Sequence, residues 1–127
     1  MATCTEITLK LPNSPRELEK VVQRLADEKV GIQAFSLDSA GTLRLIVDNP
    51  LKAADILTMH EYLIEKREVL CVQIPNELGA LRAATRLISS AGVNVEYAYG
   101  SSFDPGRIAT VVVAVDDIDR ASMTAGV

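Results

Sequence analysis

The 127-residue chain has no tryptophan, three tyrosines and two phenylalanines, so its core must be built from Val, Ile, Leu and Ala. It has no excess of basic residues. A formal net charge of −4 and a pI near 5.0 remove the positive footprint that phosphate backbones require, which excludes nucleic acid as a partner class. No apolar run approaches the ~20 residues needed to span a bilayer, so no membrane partner is expected. The opening residues, Met1 to Glu6, have neither the basic region nor the apolar stretch of a signal peptide, and the expected location is the cytoplasm. With only Cys4 and Cys71 in such a chain, a disulfide is not expected; Cys71 reads as a packed thiol and Cys4 as part of a mobile terminus. No Cys-x-x-Cys, phosphate-loop glycine pattern or nucleophile elbow occurs, so no metal, cofactor or catalytic residue is assigned. The single histidine, His60, sits near a predicted helix end and reads as a cap or surface residue. What is present, 48% hydrophobic and 24% charged residues, is the balance of a globular protein.

An internal repeat organises the rest. Pro12-Asn13 recurs as Pro75-Asn76, an offset of 63 that also carries Leu18 to Leu81, Leu25 to Ile88, Val30 to Val93 and Ile32 to Val95. Further on, Val47-Asp48 matches Val115-Asp116 and Ala53 matches Ala121, at an offset of 68. The second copy therefore carries five extra residues, placed most easily between Ser101 and Arg107.

Each copy reads as strand, helix, strand, strand, helix, strand. In the first, Ile7, Leu9 and Leu11 alternate with Thr8 and Lys10, the period of a half-buried strand. Ser14-Pro15-Arg16-Glu17 reads as a capping box, and Leu18, Val21, Val22, Leu25 and Ala26 as one face of a helix ended by Gly31. Ile32 to Leu37 and Leu43 to Val47 form strands about a turn at Ser39-Ala40-Gly41, and Asp48-Asn49-Pro50 opens a second helix with Ala53, Ile56 and Leu57 inward. In the second copy Val69 to Ile74 is a strand and Asn76 a helix cap. Leu81, Ala84, Leu87, Ile88 and Ala91 form the inner helix face, which Gly92 ends. Val93 to Tyr99 and Ile108 to Val115 are strands, and Asp116-Asp117 caps a last short helix. Asp116, Asp117 and Asp119 lack calcium-loop spacing and suit a helix start. Tyr62 to Glu68 should be the first copy's fourth strand, running into the second copy without a linker; the expected domains are 1–67 and 68–127. Only Thr124 to Val127 follow the last helix, too few for a normal fourth strand in the second copy: either that copy lacks the strand, or a neighbouring chain covers its edge, or the sequence stops early.

The β-α-β-β-α-β plan is ferredoxin-like, an α+β arrangement of antiparallel strands with helices on one face, duplicated in tandem. Within it, Val72-Gln73-Ile74-Pro75-Asn76-Glu77-Leu78-Gly79-Ala80-Leu81, then Ile88, Gly92-Val93-Asn94-Val95, Tyr97 and Tyr99, resembles the ACT domain. The duplication resembles small stand-alone tandem ACT proteins from about Thr5 to Met123. The resemblance implies a non-catalytic regulatory module, a homodimer that binds a small ligand, usually an amino acid, at an interface between ACT units. Carried over, the ligand loop is Asn76, Glu77, Leu78, Gly79, Ala80 and Leu81, with Asn94 and Val95 on the second strand.

Elementary chemistry bears on that loop independently. A helix's first turn offers free N–H groups and a positive dipole end, which suit a carboxylate. Gly79 in that turn would let a ligand approach the backbone, or merely permit close packing; Asn76 would cap the helix or present its amide to a ligand. In the first copy Arg16 stands where the second has Gly79, either crowding a site or reaching a carboxylate, and that loop reads as structural. Tyr97 and Tyr99 share one strand face, for an interface or a ligand. The competing function is a protein-interaction module with no small ligand of its own.

Overall fold

The computed structural model describes residues 2–75, 77–101 and 108–124. Its elements in order are β1 (Ala2–Lys10), α1 (Glu17–Asp27), β2 (Ile32–Leu37), β3 (Thr42–Val47), α2 (Pro50–Met59), β4 (Ile64–Pro75), α3 (Ala80–Ser90), β5 (Val95–Ser101), β6 (Ile108–Val115) and α4 (Ile118–Thr124). The chain divides into two compact units, one of Thr5–Arg67 and one of Met1–Cys4 with Glu68–Val127.

In the first unit the strand order is β2-β3-β1-β4, with β4 supplying its opening residues 64–67. The β1–β3 pair is antiparallel, with Ile7 opposite Leu45 and Leu9 opposite Leu43; β2 joins β3 with Phe35 opposite Leu45 and Leu37 opposite Leu43. Alternation along these strands sends Ile7, Leu9, Leu43 and Leu45 to one face, where they meet Val21 and Leu25 of α1 and Ala53, Ile56 and Leu57 of α2 in one core. Asn49 caps α2 by accepting a hydrogen bond from the Lys52 amide at 3.2 Å, and Pro50 occupies the first turn, where its missing N–H is harmless.

Two local expectations fail here for identifiable reasons. Ser14 does not cap α1, which starts at Glu17 behind Arg16 without a side-chain cap, because residues 14–17 form a separate turn closed by Glu17 N to Ser14 O at 3.3 Å. Gly31 does not end the helix through a left-handed conformation; Lys29 takes that role with φ 61°. Gly31 instead makes room for the Asp48 carboxylate, 2.7 Å from where its Cβ would stand, which accepts the Gly31 amide at 2.9 Å.

In the second unit the strand order is β5-β6-β4-β1, β1 contributing Ala2–Cys4. β4 pairs antiparallel with β6, Leu70 opposite Val113 and Val72 opposite Val111; β5 joins β6 with Ala98 opposite Val113 and Gly100 opposite Val111. Leu70, Val72, Val113 and Val115 pack with Ala84, Ile88 and Ala91 of the α3 region and Ala121 of α4. Gly92 ends α3 with φ 72°, as read from the sequence. Leu81 and Leu87, expected on the inner face, are about half exposed.

The N-terminus corrects two further expectations. β1 begins at Ala2, so Cys4 is not in a mobile end, and it forms a disulfide with Cys71 across a Cα–Cα separation of 6.1 Å. Composition argued against this bond, but the fold sets Cys4 of β1 and Cys71 of β4 on neighbouring strands of one unit, within bridging distance although 67 residues apart in sequence. The β4 edge that seemed to lack a fourth strand is lined by Ala2–Cys4, a segment from the other end of the chain. The five extra residues of the second copy, and Asn76, lie outside the described residues.

Candidate functional site

The loop into α3 is the first place to look. Gly79 is the N-cap of α3, in the left-handed region at φ 87°, and a Cβ on it would meet nothing within 4 Å. Its glycine is therefore demanded by backbone conformation rather than by crowding. Ala83 N bonds to Gly79 O at 3.0 Å and Ala80 N to Glu77 O at 3.2 Å. Leu78 is wholly exposed beside it. Asn76, expected as cap or ligand contact, lies outside the described residues.

A cavity of about 580 Å³ lies a little further along, within the second unit, between α3 and the sheet. α3 contributes Leu81, Ala84 and Ile88; β4 and β6 contribute Val72, Val111 and Val113. Asn94, Val95 and Tyr99 edge it, with Thr85 and Ser89 as hydroxyl neighbours. Of the eight residues expected to bind ligand, Leu81, Asn94 and Val95 line this cavity, whereas Glu77, Leu78, Gly79 and Ala80 do not. The loop motif does not reach the sheet wall or the rest of α3, which the sequence pattern alone assigns to the core. The available signal was the run of small aliphatics: Val72, Ala84, Val111 and Val113 stand where the first copy has Leu9, Val21, Leu43 and Leu45.

Asn94 is already engaged. Its backbone amide donates to Asp116 Oδ1 at 3.0 Å and its side-chain Nδ2 to Asp116 Oδ2 at 3.3 Å, the counterpart of the Gly31–Asp48 bond. Asp117 accepts the Arg120 amide at 3.0 Å and caps α4. Two of the three nearby acids thus have structural duties, and no cluster suited to a metal ion occurs among the described residues.

Tyr97 and Tyr99 do share a face of β5, their rings stacked with centroids 6.5 Å apart and planes 10° from parallel. Tyr99 lies opposite Val112, and Ala98 and Gly100 lie opposite Val113 and Val111, so alternation sends the tyrosines to the face away from α3.

The first unit has its own concavity, about 460 Å³, between the Leu11–Leu18 loop and the β2–β3 hairpin. It is more polar, with Asn13, Ser14, Glu17 and Asp38 on its walls; Arg16 does not line it. The Asp38 carboxylate accepts the amides of Ala40 at 3.0 Å and Thr42 at 3.1 Å and the Arg44 guanidinium at 3.2 Å. The Thr42 amide above all, opposed by partial desolvation and aided by Arg44 and Ala40, holds that carboxyl below its ordinary value. These bonds tie a hairpin and leave little of the carboxylate for a ligand. His60, at the C-cap of α2, faces Arg24, whose Nη1 lies 2.8 Å from His60 Nδ1.

Paired units of antiparallel strands backed by helices, one with an apolar cavity under its first helix, define a ferredoxin-like α+β class with room for a small molecule. The chain belongs to the ACT domain pair family, whose model matches residues 2–125. A crystal structure of a protein from Bacteroides thetaiotaomicron is 26% identical, with a TM-score of 0.86, covering 96% of this chain and 85% of that one. The regulatory subunit of aspartate kinase from Thermus thermophilus, in a ligand-free form, is 17% identical with a TM-score of 0.58, covering 100% and 99%. Aspartokinase III of E. coli, solved with lysine and aspartate, is 14% identical with a TM-score of 0.60, covering 97% of this chain and 30% of that one. The two kinase likenesses speak to the fold alone. A comparison with curated proteins finds no match. Among the described residues no helix is long and apolar enough to cross a membrane.

Proposed function

We propose that this ACT domain pair is a non-catalytic regulatory protein that binds an amino acid, and that it works as a homodimer in which ligand stabilises an interface between ACT units. The observation that carries the reading is the cavity edged by Leu81, Asn94 and Val95 in a member of this family. In this reading the backbone amides at the start of α3, near Leu78 to Ala80, meet the ligand carboxylate, the Ala80 amide exchanging its bond to Glu77 O for one to the ligand. Glu77 and Asn76 complete the loop.

Binding to the folded state alone raises stability by RT ln(1 + [L]/Kd), about 2.7 kcal/mol at a hundredfold excess over Kd. Thermal denaturation against a panel of the common amino acids at millimolar concentration is the test, with solution mass measured alongside. A raised melting temperature with some members supports the reading; no shift with any amino acid defeats it, and a monomeric mass defeats the dimer.

One feature favours a second reading, a docking module without a ligand of its own: Leu78 is fully exposed at the loop tip and Leu63 nearly so. Gly79→Leu should abolish amino-acid stabilisation under the first reading and leave capture of a partner enzyme intact under the second.

A further inference from the structure

The strand registers make the two units comparable position by position. Ile7 opposite Leu45 in the first corresponds to Leu70 opposite Val113 in the second, and Leu9 opposite Leu43 to Val72 opposite Val111. Phe35 opposite Leu45 corresponds to Ala98 opposite Val113. α1 and α3 are both 11 residues and start 63 apart, which sets Val21 against Ala84.

At four positions buried in the first unit the second has the smaller side chain: Val72 for Leu9, Ala84 for Val21, Val111 for Leu43 and Val113 for Leu45; Phe35, where the second unit has Ala98, is itself 57% exposed and fills no core space. The pairs Leu25 and Ile88, Val30 and Val93, and Val47 and Val115 keep their size, so none of these facing positions compensates. Gly100, opposite Val111 where the first unit has Leu37, has an additional reason to be small, since its Cβ would lie 2.5 Å from Thr110 O. At the four core pairs burial follows the volumes. Val21, Leu43 and Leu45 are 0% exposed, whereas Ala84 is 7%, Val113 4%, and Val111 only half-buried.

The same substitutions line the 580 Å³ cavity, which falls in the size range of small-molecule sites. Its wall carries no Asp, Glu, Lys, Arg or His among the described residues. Two of the polar groups at its rim are turned to internal work: Asn94 Nδ2 donates to Asp116, and Thr85 Oγ1 donates to Arg82 O at 3.0 Å. A buried charge there would have no counter-ion, and the penalty for desolvating it would go uncompensated. The cavity opens to solvent at Leu81 and Val95, each about half exposed, and its aliphatic walls favour hydrocarbon over a charged group.

We infer that the second unit is hollowed to receive an uncharged hydrocarbon group between α3 and the sheet, of branched aliphatic or aromatic kind. Resting on the amino-acid reading, this group is the side chain of leucine, isoleucine, valine or phenylalanine, and lysine and aspartate are excluded.

The test compares the full chain with two refilled variants that restore first-unit residues. One is the fourfold Val72→Leu, Ala84→Val, Val111→Leu, Val113→Leu; the other is Val113→Leu alone, in case the fourfold change does not fold. Methyl NMR of Val111, Val113, Ala84 and Ile88 and the melting temperature are followed with leucine, phenylalanine, lysine and aspartate, and with toluene as a probe lacking an amino-acid head group. Leucine, phenylalanine and toluene should shift the cavity methyls, with affinities about tenfold or more weaker in a folded refilled variant, as expected when a methylene intrudes on an apolar pocket. Lysine and aspartate should leave these methyls unmoved.

If toluene behaves so but no amino acid binds, the cavity inference stands and the amino-acid reading falls. If leucine binds the refilled variant undiminished, or lysine shifts the methyls as leucine does, the cavity inference falls and the amino-acid reading stands. No methyl shift with leucine, phenylalanine or toluene overturns the inference.

Discussion

The two units are built from the same order of elements and the same registers, yet the space under the first helix is filled in one and open in the other. In the first, Leu9, Val21, Leu43 and Leu45 close the space under α1, with Leu18 packed against them and no more than 2% of any of the four left exposed. In the second, shorter side chains at the matching positions line a cavity between α3 and the sheet, with Leu81 and Leu87 about half exposed. A ferredoxin-like plan needs apolar residues at these positions and tolerates several sizes of them. Size is then free to decide whether a unit is a support or a container. The caps differ in parallel: the N-cap of α1 is Arg16 with φ −106°, that of α3 Gly79 with φ 87°.

The contrast can be broken most directly in the core. Leu25→Ala and Ile88→Ala remove the same number of carbons from equivalent helix positions. The first should cost about 3–5 kcal/mol in urea unfolding and the second nearer 2 kcal/mol, because Ile88 already borders empty space. Equal losses would show that the second unit is packed as tightly as the first.

The disulfide comes next, and it belongs to the second unit only. Cys4 and Cys71 are 67 residues apart, and on the chain-entropy account closing such a loop contributes about 4 kcal/mol. Cys71→Ala, or reduction of the wild type, should lower stability by about 2–4 kcal/mol and raise amide exchange in Ala2–Cys4, while leaving exchange in β2 and β3 unchanged. Uniform acceleration throughout the chain would show that the bond is not local to that unit.

Cap chemistry gives a smaller effect. Gly79→Ala should cost about 1–2 kcal/mol through the left-handed φ, despite the open space around it, whereas Arg16→Ala should be near neutral by the same thermal measurement. Asp116→Ala, which releases both Asn94 bonds, should cost about 1 kcal/mol, and Asp48→Ala, which releases one amide bond to Gly31, somewhat less.

The smallest effect is electrostatic and confined to the first unit. The Asp38 carboxyl is held below its ordinary value of 3.8, so its contribution to stability is present above that value and is lost as the pH falls through the lower folded-state value. Wild-type melting should therefore show an acid-side loss, below about pH 4, that Asp38→Asn lacks. The Asp38–Thr42 amide resonances in the hairpin should report it.

Much of the architecture was legible along the chain because it rests on local rules. The alternation of Ile7, Leu9 and Leu11, the Asn49-Pro50 helix start and the Gly92 stop each act within a few residues. The two repeat offsets, 63 and 68, reappear as strand registers. The candidate site was legible only at its rim, in Leu81, Asn94 and Val95, because a loop motif describes neighbours in sequence. Its walls, Val72, Val111 and Val113, come from strands up to 41 residues apart, and each alone is an ordinary core valine. Asn94 looked free for a ligand because Asp116, which holds it, lies 22 residues on. Ser14 and Gly31 were misread because competing local bonds, the 14–17 turn and the Asp48 carboxylate, won over the commoner cap and stop signals.

By itself the sequence determined the element order, the duplication and the aliphatic character of both cores, since period, turn chemistry and composition operate over short stretches. Only the tertiary structure decided that Ala2–Cys4 lies beside β4, that Cys4 meets Cys71, and that the second unit is hollow. Strand neighbours, bridging distance and leftover volume are properties of segments far apart in the chain, and they exist only once those segments have been brought together.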